Sequence, residues 1–186
     1  MKTQIVTGSI ADLATKNNQS IAETFLSCDC IVIVDISGSM HEIDRANTNK
    51  TRYEYACEAL RDLQGSMPGK IAVISFSDNP QFEPTGIPRT PYGNTELDKA
   101  LKFVKIADNI PDMKFILISD GWPSNEKLAL DVAKTFKNKI DVIFVGNEHD
   151  IEAIRFMNEL AKISGGKQIT AESALIAEKM QYLLGG

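Results

Sequence analysis

The chain has little of what disulfide-stapled, metal-chelating or membrane-inserted proteins need. Its 186 residues include three cysteines, Cys28, Cys30 and Cys57, and two histidines, His41 and His149. An odd number of thiols in a chain long enough to bury its own core fits a reducing compartment better than a secreted framework. Three thiols also lack the fourth ligand of a structural zinc site. They read as buried reduced side chains, with Cys28 and Cys30 on one strand face and Cys57 on the next helix. No run approaches the about 18 consecutive apolar residues of a membrane span, and Met1 to Ile10 has one lysine and no signal-like apolar core. The expectation is a cytoplasmic protein with neither export signal nor anchor. Basic residues are in deficit, 20 Lys and Arg against 25 Asp and Glu, for a net charge of −5. Such a field repels nucleic acid and anionic membrane. The phosphate-cradling patterns G-x-x-x-x-G-K-S/T and G-x-G-x-x-G are absent.

What is present is an ordinary globular composition, 43% hydrophobic and 24% charged, which excludes collagen-like and disordered classes and suits one domain. From residue 28 onward, β-branched apolar runs alternate with stretches of helical period. That is the pattern of βαβ crossovers around a largely parallel sheet, an α/β doubly wound fold. The run Cys28 to Ile36 holds Ile31-Val32-Ile33-Val34 unbroken by polar residues, as a strand buried on both faces requires. Similar runs are Lys70 to Phe76, Lys114 to Ser119 and Ile140 to Val145, with a weaker one at Lys167 to Thr170. Thr51-Arg52-Tyr53-Glu54 reads as a capping box opening a helix. Further helices are expected over Thr95 to Ala107, Ser124 to Lys137, Asp150 to Ile163 and Ala171 to Leu184. The proline-rich stretch Asp78 to Gly93 reads as loop with a short edge strand at Gln81 to Glu83, and Glu42 to Lys50 as polar and mobile. Residues 9 to 26 look weakly helical, broken at Lys16-Asn17-Asn18. Residues 1–27 therefore read as an appendage packed on a domain of residues 28–186.

Chemistry concentrates after the most buried strand. In Asp35-Ile36-Ser37-Gly38-Ser39, oxygen-bearing side chains fall at every second position, so they can face one point once Gly38 lets the chain turn. One carboxylate with neutral hydroxyls suits a hard cation that keeps several waters, Mg²⁺ before Mn²⁺ or Ca²⁺; zinc or copper would want His or Cys. A second carboxylate, Asp120, ends the run Lys114 to Ser119 and precedes Gly121. Ligands of doubly wound sheets bind outside the carboxyl ends of strands, so Asp35 and Asp120 are expected to be neighbours if their strands are adjacent.

These residues resemble the von Willebrand factor A-like domain with its metal-ion-dependent adhesion site. The resemblance rests on Asp35-x-Ser37-x-Ser39, then Gly93-Asn94-Thr95, then Ser119-Asp120-Gly121, in that order over roughly residues 28 to 184. It implies a Rossmann-like three-layer sandwich with strand order 3-2-1-4-5-6 and one short antiparallel edge strand. It further implies that Ser37, Ser39 and Thr95, with Asp35 and Asp120, hold the metal directly or through water. One position would then be left for a partner's Asp or Glu, which meets an under-compensated cation in a partly dry cleft. Asn94 departs from the Gly of many members. Members inside cells commonly act as adaptors in multi-protein assemblies, beside AAA-type ATPases, metal-insertion machinery or stress-response systems.

Plainer readings stand beside these. Thr95 can be an N-cap, since Thr95-Glu96-Leu97-Asp98 resembles a capping box, and Ser37 and Ser39 can be turn residues beside Gly38. His41, Asn94, Gly121 and Trp122 are expected at the partner-binding rim, with Trp122 either an anchor for the partner or packed on a neighbouring loop. His149 reads as a loop residue before Asp150 as N-cap. Neither histidine has a catalytic partner in sequence, so no catalytic residue is expected and the chain reads as a binding module rather than an enzyme. Two alternatives are a Mg²⁺-dependent hydrolase or phosphotransferase, and a scaffold with a vestigial metal site. Phosphotransferases with an Asp nucleophile carry a second Asp two residues on, where this chain has Ser37.

Overall fold

A computed structural model describes residues 4–43, 49–171 and 175–185. It contains a six-stranded sheet in the order β3-β2-β1-β4-β5-β6. The strands are β1 Cys30–Asp35, β2 Ile71–Phe76, β3 Pro80–Phe82, β4 Lys114–Ser119, β5 Ile140–Phe144 and β6 Gln168–Thr170. All neighbours are parallel except β3, which runs antiparallel to β2 at the edge. A proline heads that edge strand, where its missing N–H costs no central ladder bond.

Helices cover both faces, and side-chain parity along the strands sorts the core into two layers. Ile31 and Ile33 of β1, with Ala72, Ile74, Phe115, Leu117, Val142 and Phe144, meet α4 (Leu97–Val104), α5 (Glu126–Ala133) and α6 (Ile151–Ile163). Cys30, Val32 and Val34, with Val73, Ile116, Ile118 and Ile143, meet α3 (Arg52–Ser66) and α7 (Ile176–Gly185). Burial on both faces is why these strands read as unbroken apolar runs. The three-layer architecture and its strand order agree with the sequence reading.

Several boundaries and one face differ from expectation. Cys28 and Cys30 do not share a strand face: β1 starts at Cys30, and Cys28, before the bend at Asp29, packs in the layer of Ile31 and Ile33. All three cysteines are free. The helix expected over Thr95 to Ala107 begins at Leu97 and turns into a 3₁₀ segment, Lys105–Asn109. The helix expected from Ser124 begins after Asn125, whose side chain accepts from Leu128 N. The last helix begins at Ile176, and residues 172–174 of the expected Ala171 to Leu184 span lie outside the described residues. So do residues 44–48 of the Glu42 to Lys50 stretch.

Helices α1 (Ile10–Asn17) and α2 (Ile21–Phe25) are separated where Asn18 adopts a left-handed conformation, φ +52°. This segment lies against the edge strand and the proline-rich loop. Val6 N donates to Thr85 O, Ala11 N donates to Pro84 O, and Phe25 meets Phe82 edge-to-face at 5.3 Å.

Asp108, buried in the 3₁₀ segment, ties α4 to the turn before β5. It accepts from Lys105 Nζ at 2.6 Å, Lys137 N at 2.8 Å and Asn138 N at 2.8 Å. Burial works to raise its pKa, but these bonds outweigh burial and hold it below the usual carboxylate range. Its stabilisation is therefore present above the unfolded carboxylate's value of about 3.9 and is lost as pH falls through the lower folded value. Asp108→Ala strands three donors and is expected to cost about 2–3 kcal/mol at neutral pH, a fall in Tm of roughly 5–10 °C, read by circular dichroism. The gap between variant and wild type is expected to narrow as the pH is lowered into the acid range.

Candidate metal centre

Of the residues singled out in sequence, Asp35, Ser37, Ser39 and Asp120 gather at the carboxyl ends of β1 and β4, and the loop that carries Thr95 lies against the Asp35 segment. Asp35 ends β1, and β1 lies between β2 and β4, so Asp120, the residue after β4, is beside it. Asp35 is fully buried. Its Oδ1 accepts from Ser37 N at 2.8 Å and its Oδ2 from Ser119 Oγ at 2.6 Å. The Ser37 and Ser39 hydroxyl oxygens lie 3.2 Å apart, so the alternation has turned both toward one place. Ser37 is the N-cap residue of the 3₁₀ turn Gly38–His41, yet its side chain makes no capping bond and is left for the site.

Thr95 arrives on a separate loop. Gly38 N donates to Gly93 O at 3.2 Å and Tyr92 N to Ile36 O at 2.8 Å, which lays that loop against the Asp35 segment. The capping reading of Thr95 does not describe this structure: the N-cap of α4 is Glu96, which makes no side-chain capping bond. Thr95 is nearly buried, and its backbone is held from another side by Ser124 N donating to Thr95 O at 2.9 Å. Asp78, which the sequence reading passed over, clamps the loop tip. Its Oδ1 accepts from both Asn94 N at 3.0 Å and Asn94 Nδ2 at 3.1 Å. A Cβ on Gly93, at φ +73°, would meet Asp78 Oδ2 at 2.4 Å. Asn94 thus pins the loop through its own side chain.

Electrostatics make the site expectant of a cation. Burial pushes the Asp35 carboxyl well above its ordinary range, and the like charge of Asp120 pushes the same way; the bonds from Ser119 and Ser37 only partly offset them. Asp35 has no cationic partner among the described residues. Asp120 does have one. Arg52 Nη1 donates to Asp120 Oδ2 at 2.9 Å, across 68 residues of sequence that give no local signal of the contact. Arg52, like Asp78, carries no local signal of its contact in the sequence, and Ser119 stands in the Ser119-Asp120-Gly121 motif without its bond to Asp35 being foreseen.

The donor set is oxygen only. Among the described residues no group of three or more His, Cys, Asp or Glu is placed to hold a metal ion, and the oxygens gathered here, two carboxylates with hydroxyls, are of the kind that suits a hard cation that retains water. One buried hydroxyl beside the site is also left over. Among the described residues Ser77 Oγ, fully buried after β2, has no partner, while Ser77 O accepts from Glu96 N next to Thr95.

The expected rim residues divide by structure. His41 is exposed at the end of the 3₁₀ turn, and Asn94 is exposed at the loop tip. Gly121, at φ +117°, is buried and packs so closely that a Cβ would meet Ala153 Cβ at 2.7 Å and Phe144 Cε2 at 2.9 Å. Trp122 is 51% exposed, and its Nε1 donates to Asp150 Oδ2 at 2.6 Å. Asp150 also caps α6 through Ala153 N, so the indole is oriented without being buried. His149 sits in the loop before this cap, as expected.

The architecture is similar to manganese-loaded TRAP protein of Plasmodium vivax, at 18% identity over 85% of this chain and 73% of that chain, with a TM-score of 0.55. It is also similar to proximal thread matrix protein 1 of the mussel byssus, at 16% identity and a TM-score of 0.58. There the match covers 84% of this chain but 45% of that chain, so the chain spans under half of the mussel protein. At these identities the likeness is one of fold. No curated protein matches the chain. Residues 30–122, half of the chain, match the von Willebrand factor type A domain, taking in β1, the Asp35 segment, the Thr95 loop and Asp120. The chain belongs to the von Willebrand factor type A domain family.

Proposed function

We propose that the chain is a metal-dependent protein-recognition module. Asp35, Ser37, Ser39, Thr95 and Asp120 would hold one divalent cation, Mg²⁺ by preference with Mn²⁺ or Ca²⁺ as substitutes, and an Asp or Glu of a partner protein would complete its coordination. The observation that carries this reading is the fully buried Asp35 carboxylate, held beside a second carboxylate and two converging hydroxyls with no cationic side chain paired to it among the described residues. Uncompensated charge of this kind is costly inside a protein unless an ion resides there. A bound cation supplies a Lewis acid whose field in a dry cleft favours an incoming carboxylate. A relative in fold solved in its manganese-loaded form supports the choice of a divalent ion. The exposed and oriented Trp122 would form one wall of the recognition surface, with His41 and Asn94 at the rim.

The family is one of interaction domains, and an adaptor role in a cytoplasmic assembly, with an AAA-type ATPase or a stress-response complex as partner, goes with this proposal. Among the described residues no helix is long and apolar enough to cross a membrane.

Affinity capture tests the reading with wild type in Mg²⁺, wild type in EDTA and Asp120→Ala in Mg²⁺. A partner retained by metal-loaded wild type and released by both EDTA and the substitution is expected; retention in all three would sink it. Restoring capture to EDTA-treated wild type by adding Mg²⁺ back is the expected control.

A further inference from the structure

Arg52 stands where a helix least favours a cation. It is the first residue of α3, and the free N–H groups and dipole of a helix N-terminus repel positive charge. The helix is already capped by Thr51, which accepts from Glu54 N while Glu54 reaches back to Thr51 N, so Arg52 adds nothing to the cap. Something other than the helix accounts for its position, and the contacts say what. The side chain is 13% exposed. Nη1 donates to Asp120 Oδ2 at 2.9 Å and to Ser39 O at 3.3 Å, while Nη2 lies 3.1 Å from Glu42 Oε2. One guanidinium joins the Asp35 to Glu42 segment, α3 and the loop after β4, the pieces from which the centre is built.

We propose that Arg52 is the internal counter-cation of the centre: it holds Asp120 and opposes loading of a divalent metal on the same carboxylate. This rests on the reading of the site as a metal centre. Arginine does not give up its proton in proteins, so the charge cannot be shed and can only be moved or tolerated. A guanidinium and a divalent ion drawn to one carboxylate repel each other, the more so in a cleft of low dielectric. Glu42, 64% exposed, already shares the guanidinium and offers it an alternative partner toward solvent.

The charge count gives this arrangement a purpose. Asp35 and Asp120 alone would neutralise a divalent ion, leaving little attraction for a further carboxylate. With Arg52 kept in the centre, the loaded site carries more positive charge than the two aspartates cancel; Glu42, 64% exposed, offsets only the solvent-screened part of it, and a partner's Asp or Glu relieves the rest. Metal binds more weakly to the isolated chain and more tightly once the partner's carboxylate arrives, and by linkage the partner gains from the metal by the same factor. Arg52 is in this sense a positioning and tuning residue rather than a metal ligand.

The test is calorimetric titration of Mn²⁺ into the full chain as wild type, Arg52→Gln and Arg52→Lys, with circular dichroism confirming that each is folded. Arg52→Gln, which keeps a donor but loses the charge, is expected to bind Mn²⁺ about 5- to 150-fold more tightly, and Arg52→Lys to stay near wild type. Equal or weaker binding by Arg52→Gln overturns the proposal while leaving the metal centre standing. Absence of Mn²⁺ binding by every protein overturns the metal centre and the proposal with it. A measurement on wild type alone guards against a variant that does not fold. The guanidinium ¹⁵N signal of Arg52 is expected to shift, and its protons to exchange faster, as Mg²⁺ is added, and an unchanged signal in the metal-loaded protein overturns the proposal.

Discussion

In EDTA, Asp35→Asn is expected to unfold at a higher temperature than wild type, and in Mg²⁺ the order is expected to reverse. Asp35 is fully buried, sees the like charge of Asp120 and has no cationic partner among the described residues. Its ionised form is therefore a cost to the metal-free fold, and the neutral amide removes that cost. The shape is kept: Asn Oδ1 can still accept from Ser37 N, and Ser119 Oγ can accept where it now donates. The gain is expected to be about 1–2 kcal/mol, or roughly 2–8 °C in Tm for a chain of this length. Wild type at a Mg²⁺ concentration about 100 times the dissociation constant should gain about 2.7 kcal/mol, and the variant nothing. Thermal denaturation with and without metal reads both effects. A variant less stable than wild type in EDTA would mean that Asp35 serves the fold rather than an ion.

Gly121→Ala is expected to be strongly destabilising. The residue sits at φ +117°, where an L side chain is strained by about 1–3 kcal/mol. Its Cβ would also approach Ala153 of α6 and Phe144 of β5 to 2.7 and 2.9 Å, an overpacking worth about 1–3 kcal/mol more. Gly121 N donates to Ser119 Oγ, which in turn donates to Asp35, so displacing this residue also loosens the carboxylate that the centre depends on. A fall in Tm of roughly 5–15 °C, together with weaker response to Mg²⁺, is the expected outcome by calorimetry. A Tm unchanged from wild type would show that the loop after β4 can move aside, against the close contact with α6.

What could be read in the chain, and what could not, follows from the range of each interaction. Strands β1, β2, β4 and β5 are buried on both faces, and that burial writes itself into consecutive apolar residues. The Thr51 capping box is local, three residues long, and appears in the structure with both of its bonds. The same pattern at Thr95 misleads, because the loop is held by Gly38, Ser124 and Asp78, all remote in sequence, and these contacts displace the helix start to Leu97. Cys28 was misplaced because alternation was extended past the first residue of β1 into a bend. Asp35 and Asp120 are legible as candidates because each closes an apolar strand run, and Ser37 and Ser39 because they alternate with Asp35 just beyond it. Arg52 is not: at the first turn of an amphipathic helix it looks like a solvated charge. Only the adjacency of β1 and β4 brings Asp120 within 2.9 Å of it.

The central claim is that this arrangement holds a divalent cation. Electron paramagnetic resonance of free Mn²⁺, titrated into wild type and Asp35→Asn, tests it most directly, since the signal of the hydrated ion falls as the metal is bound. The account predicts one Mn²⁺ taken up per wild-type chain, displaced by Mg²⁺, and none by the variant. Equal uptake by both proteins, or none by wild type at millimolar Mn²⁺, would contradict it.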